Sequence, residues 1–154
     1  MKAGLHLVGG LLVAALLAGC GQDAGLDQHG SKVTAAQLDD QWLVISYWAQ
    51  WCGPCRTEIP ELNALQAQFV EGEAQVIGVN FDNLQGDALA QATEEMGIRF
   101  RVLAENPAPR FNLPTSQVLP VTHIVDKQGR LRLSLEGEQS AAGLQQTLTA
   151  LQEE

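Results

Sequence analysis

Trp51-Cys52-Gly53-Pro54-Cys55 is the stretch that decides how this chain is read. Its two thiols stand one helical turn apart. They follow an apolar run, Leu43-Val44-Ile45-Ser46-Tyr47-Trp48, that reads as a strand. A C-x-x-C at a strand-to-helix junction is the arrangement dithiol redox chemistry needs. The first sulfur lies near the unpaired N–H groups of a helix start, which favour a thiolate. The second is within reach to close a disulfide. A purely structural disulfide across so short a loop would staple almost nothing, because the stabilisation grows with loop length. Zinc is disfavoured as well: it takes four ligands, and His29 and His123 are the only histidines beyond the leader. The P-x-x-x-T-x-x-C arrangement of a thiol peroxidase is absent from the sequence.

Toward the N-terminus, Lys2 precedes an apolar run from Leu5 to Ala18. That run is shorter than the ~20 apolar residues a spanning helix needs. It fits the hydrophobic region of a secretory signal over residues 1–19. The run ends in Leu17-Ala18-Gly19-Cys20, which resembles the bacterial lipobox, whose cysteine is lipidated and becomes the mature N-terminus. An ordinary signal peptide with Cys20 left as a free thiol is the alternative. Lipidation accounts for the odd cysteine of three and would hold the chain firmly on a membrane. Residues 20–30 then read as lipidated end and polar tether, and residues 31–154 as one domain. Which membrane carries the anchor stays open, since Gly21, not an aspartate, follows Cys20.

The formal net charge is −9, and all the acidic residues lie beyond Cys20. Nucleic acid is excluded as a partner, because its binders carry basic patches. Direct adhesion to anionic lipid is disfavoured for the same reason.

Along the domain, Thr34-Ala35-Ala36-Gln37 has capping-box spacing and predicts a short helix through Asp40. Leu43–Trp48 predicts a strand buried on both faces. From Pro54 the pattern turns helical, with Ile59, Leu62, Leu65 and Phe69 near a 3.6-residue stripe and Pro60 as an internal kink. Gln75–Val79 predicts a second strand, Gly86–Met96 a helix ending at Gly97, and Ile98–Leu103 a strand with one exposed face. A helical turn is expected over Ala108–Asn112. Val121–Val125, a turn at Asp126–Gly129 and Arg130–Leu135 predict a hairpin, and Ala141–Leu151 a closing amphipathic helix. The sum is an α/β fold with helices around a central mixed sheet.

Ser46 to Arg56 resembles the active-site strand and helix of the thioredoxin superfamily. Thr57-Glu58-Ile59-Pro60-Glu61-Leu62 is similar to the E-x-P-x-L continuation of its extracytoplasmic TlpA/ResA-like branch. Val118 to Asp126 resembles the segment that carries the fold's cis-proline, and Lys127-Gln128-Gly129-Arg130 its following turn. The resemblance implies a thioredoxin-like fold with a TlpA-type βα insertion around Asn80–Leu103, and covers about Gly30 to Leu151. It implies Cys52 as nucleophile and the more exposed sulfur, with Cys55 buried and resolving. Trp51, Gly53, Pro54, Leu119 and Pro120 become the substrate-reading surface, with Pro120 against the disulfide and the Leu119 backbone pairing with a substrate strand.

The chain departs from thioredoxin at Ser46, where that family carries a buried aspartate. Glu58, three residues after Cys55, is the candidate replacement as proton acceptor, against the alternative of a solvated helix carboxylate. Trp48 is expected in the core, and His123 as a structural histidine.

The resemblance implies a membrane-tethered thiol–disulfide oxidoreductase of the bacterial cell envelope, facing the periplasm. It would reduce disulfides of exported proteins, in cytochrome c maturation or repair, and draw electrons from a DsbD-type transmembrane thiol donor. No cofactor is expected beyond the Cys52–Cys55 disulfide itself. Two alternatives remain: an oxidase or isomerase using the same residues, and a redox-inactive lipoprotein that only binds.

Overall fold

A computed structural model describes residues 23–154. The expected leader over residues 1–19 and the lipidation candidate Cys20 lie outside the described residues. Five strands form one mixed sheet: β1 (Trp42–Trp48), β2 (Ala74–Asn80), β3 (Arg101–Leu103), β4 (Val121–Val125) and β5 (Leu131–Glu136). Their order is β3-β2-β1-β4-β5. β1 runs parallel to β2 and β2 to β3, while β4 is antiparallel to both β1 and β5. β1 is therefore central, and every one of its residues is buried.

The pleat of β1 sorts its side chains. Trp42, Val44 and Trp48 join a core with α1 (Gly53–Gln66), α2 (Gly86–Glu95) and α4 (Ala141–Gln152). Leu43, Ile45 and Tyr47 face the opposite core, where Val33, Leu38, Phe111 and Leu113 cover the sheet. Phe111 closes the short helix α3 (Ala108–Phe111). Burial of a side chain of Leu, Ile or Val size contributes roughly 1.5–3 kcal/mol, so these two layers carry the fold. At Gly78 on β2 an added Cβ would stand 2.9 Å from Val102 Cγ2 and 3.1 Å from Trp48 Nε1. The glycine lets β2, β3 and the indole close up. The β4–β5 turn is held by Asp126, whose Oδ1 accepts from the N–H groups of Gln128 and Arg130, both at 3.0 Å. Gly129 supplies the positive φ, 73°, that this turn requires.

Three expectations change. The helix expected through Asp40 is a 3-10 turn, Ala35–Gln37. Leu38 plunges into the core directly after it, and Asp40, at φ 59°, turns the chain into β1. The strand expected from Ile98 begins only at Arg101. Asn63 of α1 intercepts the backbone before it reaches the sheet, donating to the Gly97 carbonyl and accepting from the Arg99 N–H, both at 2.8 Å. Ile98 and Phe100 are thereby turned into the core.

The third change is at the tether. Expected as far as Gly30, it gives way to folded chain by Ala24, whose N–H donates to the Val33 carbonyl, while the Val33 N–H donates to the Gly25 carbonyl, both at 2.8 Å. This segment lies along the β3 edge, and the buried Gln28 amide bonds both the Phe100 carbonyl and the Val102 N–H. A polar side chain supplies the pairing that a strand would otherwise give. Residues 24–30 carry no apolar periodicity to betray it.

Candidate active site

β1 ends at Trp48, and Ala49–Trp51 carry the chain to the start of α1, where Cys52 is the N-cap. Pro54 sits in the first turn, where its missing N–H costs nothing. Cys52 and Cys55 are joined by a disulfide, their Cα atoms 5.3 Å apart. Cys52 Sγ also accepts from the Cys55 N–H at 3.2 Å. That amide is one of the unpaired donors of the helix start, and it faces any charge that develops on this sulfur. Cys52 is 4% exposed and Cys55 0%, so the expected difference in access is small while the pair is oxidised. Trp51 stands out of the surface, 67% exposed. Its Nε1 donates to Asp82 at 3.0 Å, and its ring meets Phe81 edge-on at 6.2 Å.

Glu58 is buried, in spite of the solvated position its charge suggests. Ser46 on β1 and Thr122 on β4 are register partners, and both hydroxyls donate to its carboxylate, at 3.1 and 3.3 Å. The Gln139 N–H donates at 3.2 Å. Burial pushes the Glu58 carboxyl up to about 7, against the opposing pull of these three donors. A group with that pKa exchanges protons at neutral pH, one helical turn beyond Cys55. Ser46, the departure from thioredoxin, is thus a partner of the buried acid and not a gap where one is missing.

The Leu119–Pro120 peptide bond is cis. Pro120 is buried and Leu119 half-buried, and the Pro120 carbonyl accepts from Gly137 at 2.9 Å. Among the described residues no hydrogen bond engages the Leu119 N–H or carbonyl. Gly53 and Pro54 are exposed, as is Val118 beside Leu119. Trp48 is buried in the core next to the disulfide. His123 is buried on the opposite sheet face: its Nδ1 lies 2.8 Å from Ser134 Oγ and its ring meets Tyr47 edge-on. Burial lowers its pKa.

Thr122, Gln139, Asp82 and Phe81 were not singled out from the sequence. Thr122 was legible in principle, since an antiparallel pairing of the two expected strands places it against Ser46. Gln139 and Asp82 lie in loops and carried no signal. Among the described residues no three His, Cys, Asp or Glu side chains gather as they would to hold a metal ion.

Residues 20–134 match the AhpC/TSA family. The chain is 24% identical over 119 residues to the thiol-disulfide oxidoreductase ResA of Bacillus thuringiensis, covering 77% of this chain and 68% of that one. It is 34% identical over 102 residues to a thiol:disulfide interchange protein DsbE homologue of Paracoccus denitrificans, covering 62% and 54%. Among solved structures, a DsbF homologue from Corynebacterium diphtheriae superposes with a TM-score of 0.69 at 23% identity, covering 82% of each chain.

Proposed function

Because this chain belongs to the AhpC/TSA family, within the thioredoxin superfamily, we propose that it is a thiol–disulfide oxidoreductase that reduces disulfides of exported proteins. The observation that carries this reading is the Cys52–Cys55 disulfide at the α1 N-terminus, with a buried acid of near-neutral pKa behind it. In the reduced enzyme the Cys52 thiolate attacks a substrate disulfide. One substrate sulfur leaves as a thiolate and takes up a proton, and a mixed disulfide remains. Cys55 loses its proton to Glu58 and attacks Cys52 Sγ. The second substrate thiol departs, and two electrons have passed from the pair to the substrate. The free backbone of Leu119 suits an extended substrate segment added as a strand, with Trp51 and Pro120 at its sides. The Gly53-Pro54 dipeptide is that of thioredoxin, which lies near ~−270 mV at the reducing end.

The leader and Cys20 support a lipid anchor in the bacterial envelope, with the domain facing the periplasm. That compartment is kept oxidising. A reductase there draws its electrons from a DsbD-type transmembrane donor, and cytochrome c maturation or disulfide repair is the task such an enzyme serves.

Mixing the pre-reduced domain with an excess of a disulfide-bonded model protein tests the direction. Closure of the Cys52–Cys55 disulfide with release of two substrate thiols per chain is the expected result. A reduced domain that stays reduced, while its oxidised form forms disulfides in a dithiol peptide, would reverse the direction.

A further inference from the structure

The three donors around the Glu58 carboxylate are not equivalent. Gln139 offers a backbone N–H, which only donates. Ser46 and Thr122 offer hydroxyls, which donate to a carboxylate and equally accept from a protonated carboxyl. Each hydroxyl takes a different oxygen. Ser46 Oγ lies 3.1 Å from Oε2, and Thr122 Oγ1 lies 3.3 Å from Oε1, which also takes the Gln139 N–H. Ser46, Glu58 and Thr122 are each at most 1% exposed, so bulk water supplies none of these bonds. Thr122 stands two residues past Pro120 on β4, and Gly137, which donates to the Pro120 carbonyl, stands two residues before Gln139. Two of the three donors therefore belong to the segments that hold the cis-proline.

The residue types matter. A lysine or arginine against a buried carboxylate would fix it as the anion, and a wholly apolar lining would fix it as the neutral acid. Among the described residues the charge that acts on this carboxyl is that of Glu138, from the loop between β5 and α4, and it opposes ionisation. The charged neighbours of Glu58 on α1 are engaged elsewhere: Arg56 donates to the Gln50 carbonyl, and Glu61 accepts from the Ala141 N–H. On β4, His123 follows Thr122 and faces the other side of the sheet, where Ser134 holds it. Cys55, one turn back along α1, becomes a titrating thiol when the disulfide opens. What β1 and β4 each bring to the acid is a hydroxyl, which serves both of its protonation states.

We propose that Thr122 and Ser46 are positioning residues for the resolving step, their hydroxyls holding Glu58 in place as base and then as acid. The proposal rests on the reading of Glu58 as the proton acceptor of Cys55. In that step Cys55 Sγ gives its proton to the Glu58 carboxylate and forms the bond to Cys52 Sγ. The substrate sulfur leaves with the electron pair of the broken S–S bond. One hydroxyl turns from donor to acceptor as the carboxyl takes its proton, and turns back when that proton returns to solvent.

The test titrates the Glu58 carboxyl carbon by NMR in the oxidised full chain and follows resolution against pH in the reduced one. A small aromatic disulfide serves as substrate: attack by Cys52 releases its first thiol, and attack by Cys55 releases the second. Thr122→Val keeps the shape and removes the hydroxyl, so the carboxylate loses a donor. Its midpoint is expected to rise from about 7 by about one pH unit, because a hydrogen bond to the charged form outweighs one to the neutral form. Release of the second thiol shifts with it, becoming about fivefold slower at pH 7 and recovering above the new midpoint. Ser46→Ala moves both midpoints in the same direction, and Thr122→Ser restores the wild-type values. A role in packing alone would slow release at every pH and leave the midpoints in place. Unmoved midpoints in Thr122→Val and Ser46→Ala therefore overturn the proposal, and either variant decides where the other does not fold. A wild-type resolution rate that does not follow the carboxyl titration overturns instead the acceptor reading of Glu58, a result distinct from midpoints that stay in place.

Discussion

Cys52→Ser is expected to abolish disulfide reduction, whereas Cys55→Ser is expected to capture one substrate per chain and stop. The asymmetry follows from the helix start. Cys52 Sγ faces the Cys55 N–H, so its thiolate is stabilised and attacks. Cys55 is fully buried and meets only what Cys52 has already bound. Serine in place of Cys52 offers a hydroxyl that stays protonated at neutral pH, and turnover drops to the uncatalysed exchange rate. Serine in place of Cys55 leaves the first attack intact and removes the second, so the mixed disulfide accumulates. Non-reducing gel electrophoresis after alkylation reads both outcomes. Mixed disulfides accumulating in Cys52→Ser, and none in Cys55→Ser, would exchange the two roles.

Glu58→Gln carries the second large effect, in two measurements. The carboxyl titrates at about 7 in the folded chain against 4.5 when unperturbed. In the window between these values the native state holds a proton that the unfolded state has released. Stability therefore falls as pH rises through that window, by about 3 kcal/mol in all for a shift of this size. Below pH 4.5 the contribution is fully present. The substituted glutamine keeps the shape and accepts from Thr122 and Gln139 through its carbonyl, but does not titrate. Urea midpoints from about pH 4 to about pH 8 should show wild type losing about 3 kcal/mol relative to the variant across that span. A difference that does not vary with pH would mean that the carboxyl is unperturbed. The same variant should resolve the mixed disulfide roughly 10²-fold more slowly at neutral pH, the usual contribution of a positioned general base. Unchanged resolution would leave Glu58 a structural group and not a proton acceptor.

The sequence reached the redox pair and the general frame because those features are local. Cys52-Gly53-Pro54-Cys55 is a contiguous motif, and β1 advertises itself through an apolar run that only a central strand tolerates. What escaped depends on side chains that act across the sheet. The burial of Glu58 follows from Ser46 and Thr122 meeting in register, which no window of the sequence displays. Gln28 folds residues expected to be tether by bonding the backbone of β3, and Asn63 shortens that strand by capturing its approach. Composition describes such polar residues as solvated. Their pairing is decided only when the topology brings backbone groups that lack a partner within reach.

The central claim is that the Cys52–Cys55 pair donates electrons. Its most direct test is the equilibrium potential of the domain comprising residues 21–154, which leaves out Cys20, measured against defined dithiol buffers. A potential near or below ~−220 mV is the predicted result and places the pair with the reducing members of the superfamily. A potential near ~−120 mV would contradict it, because a pair so poised makes disulfides in its substrates and does not break them.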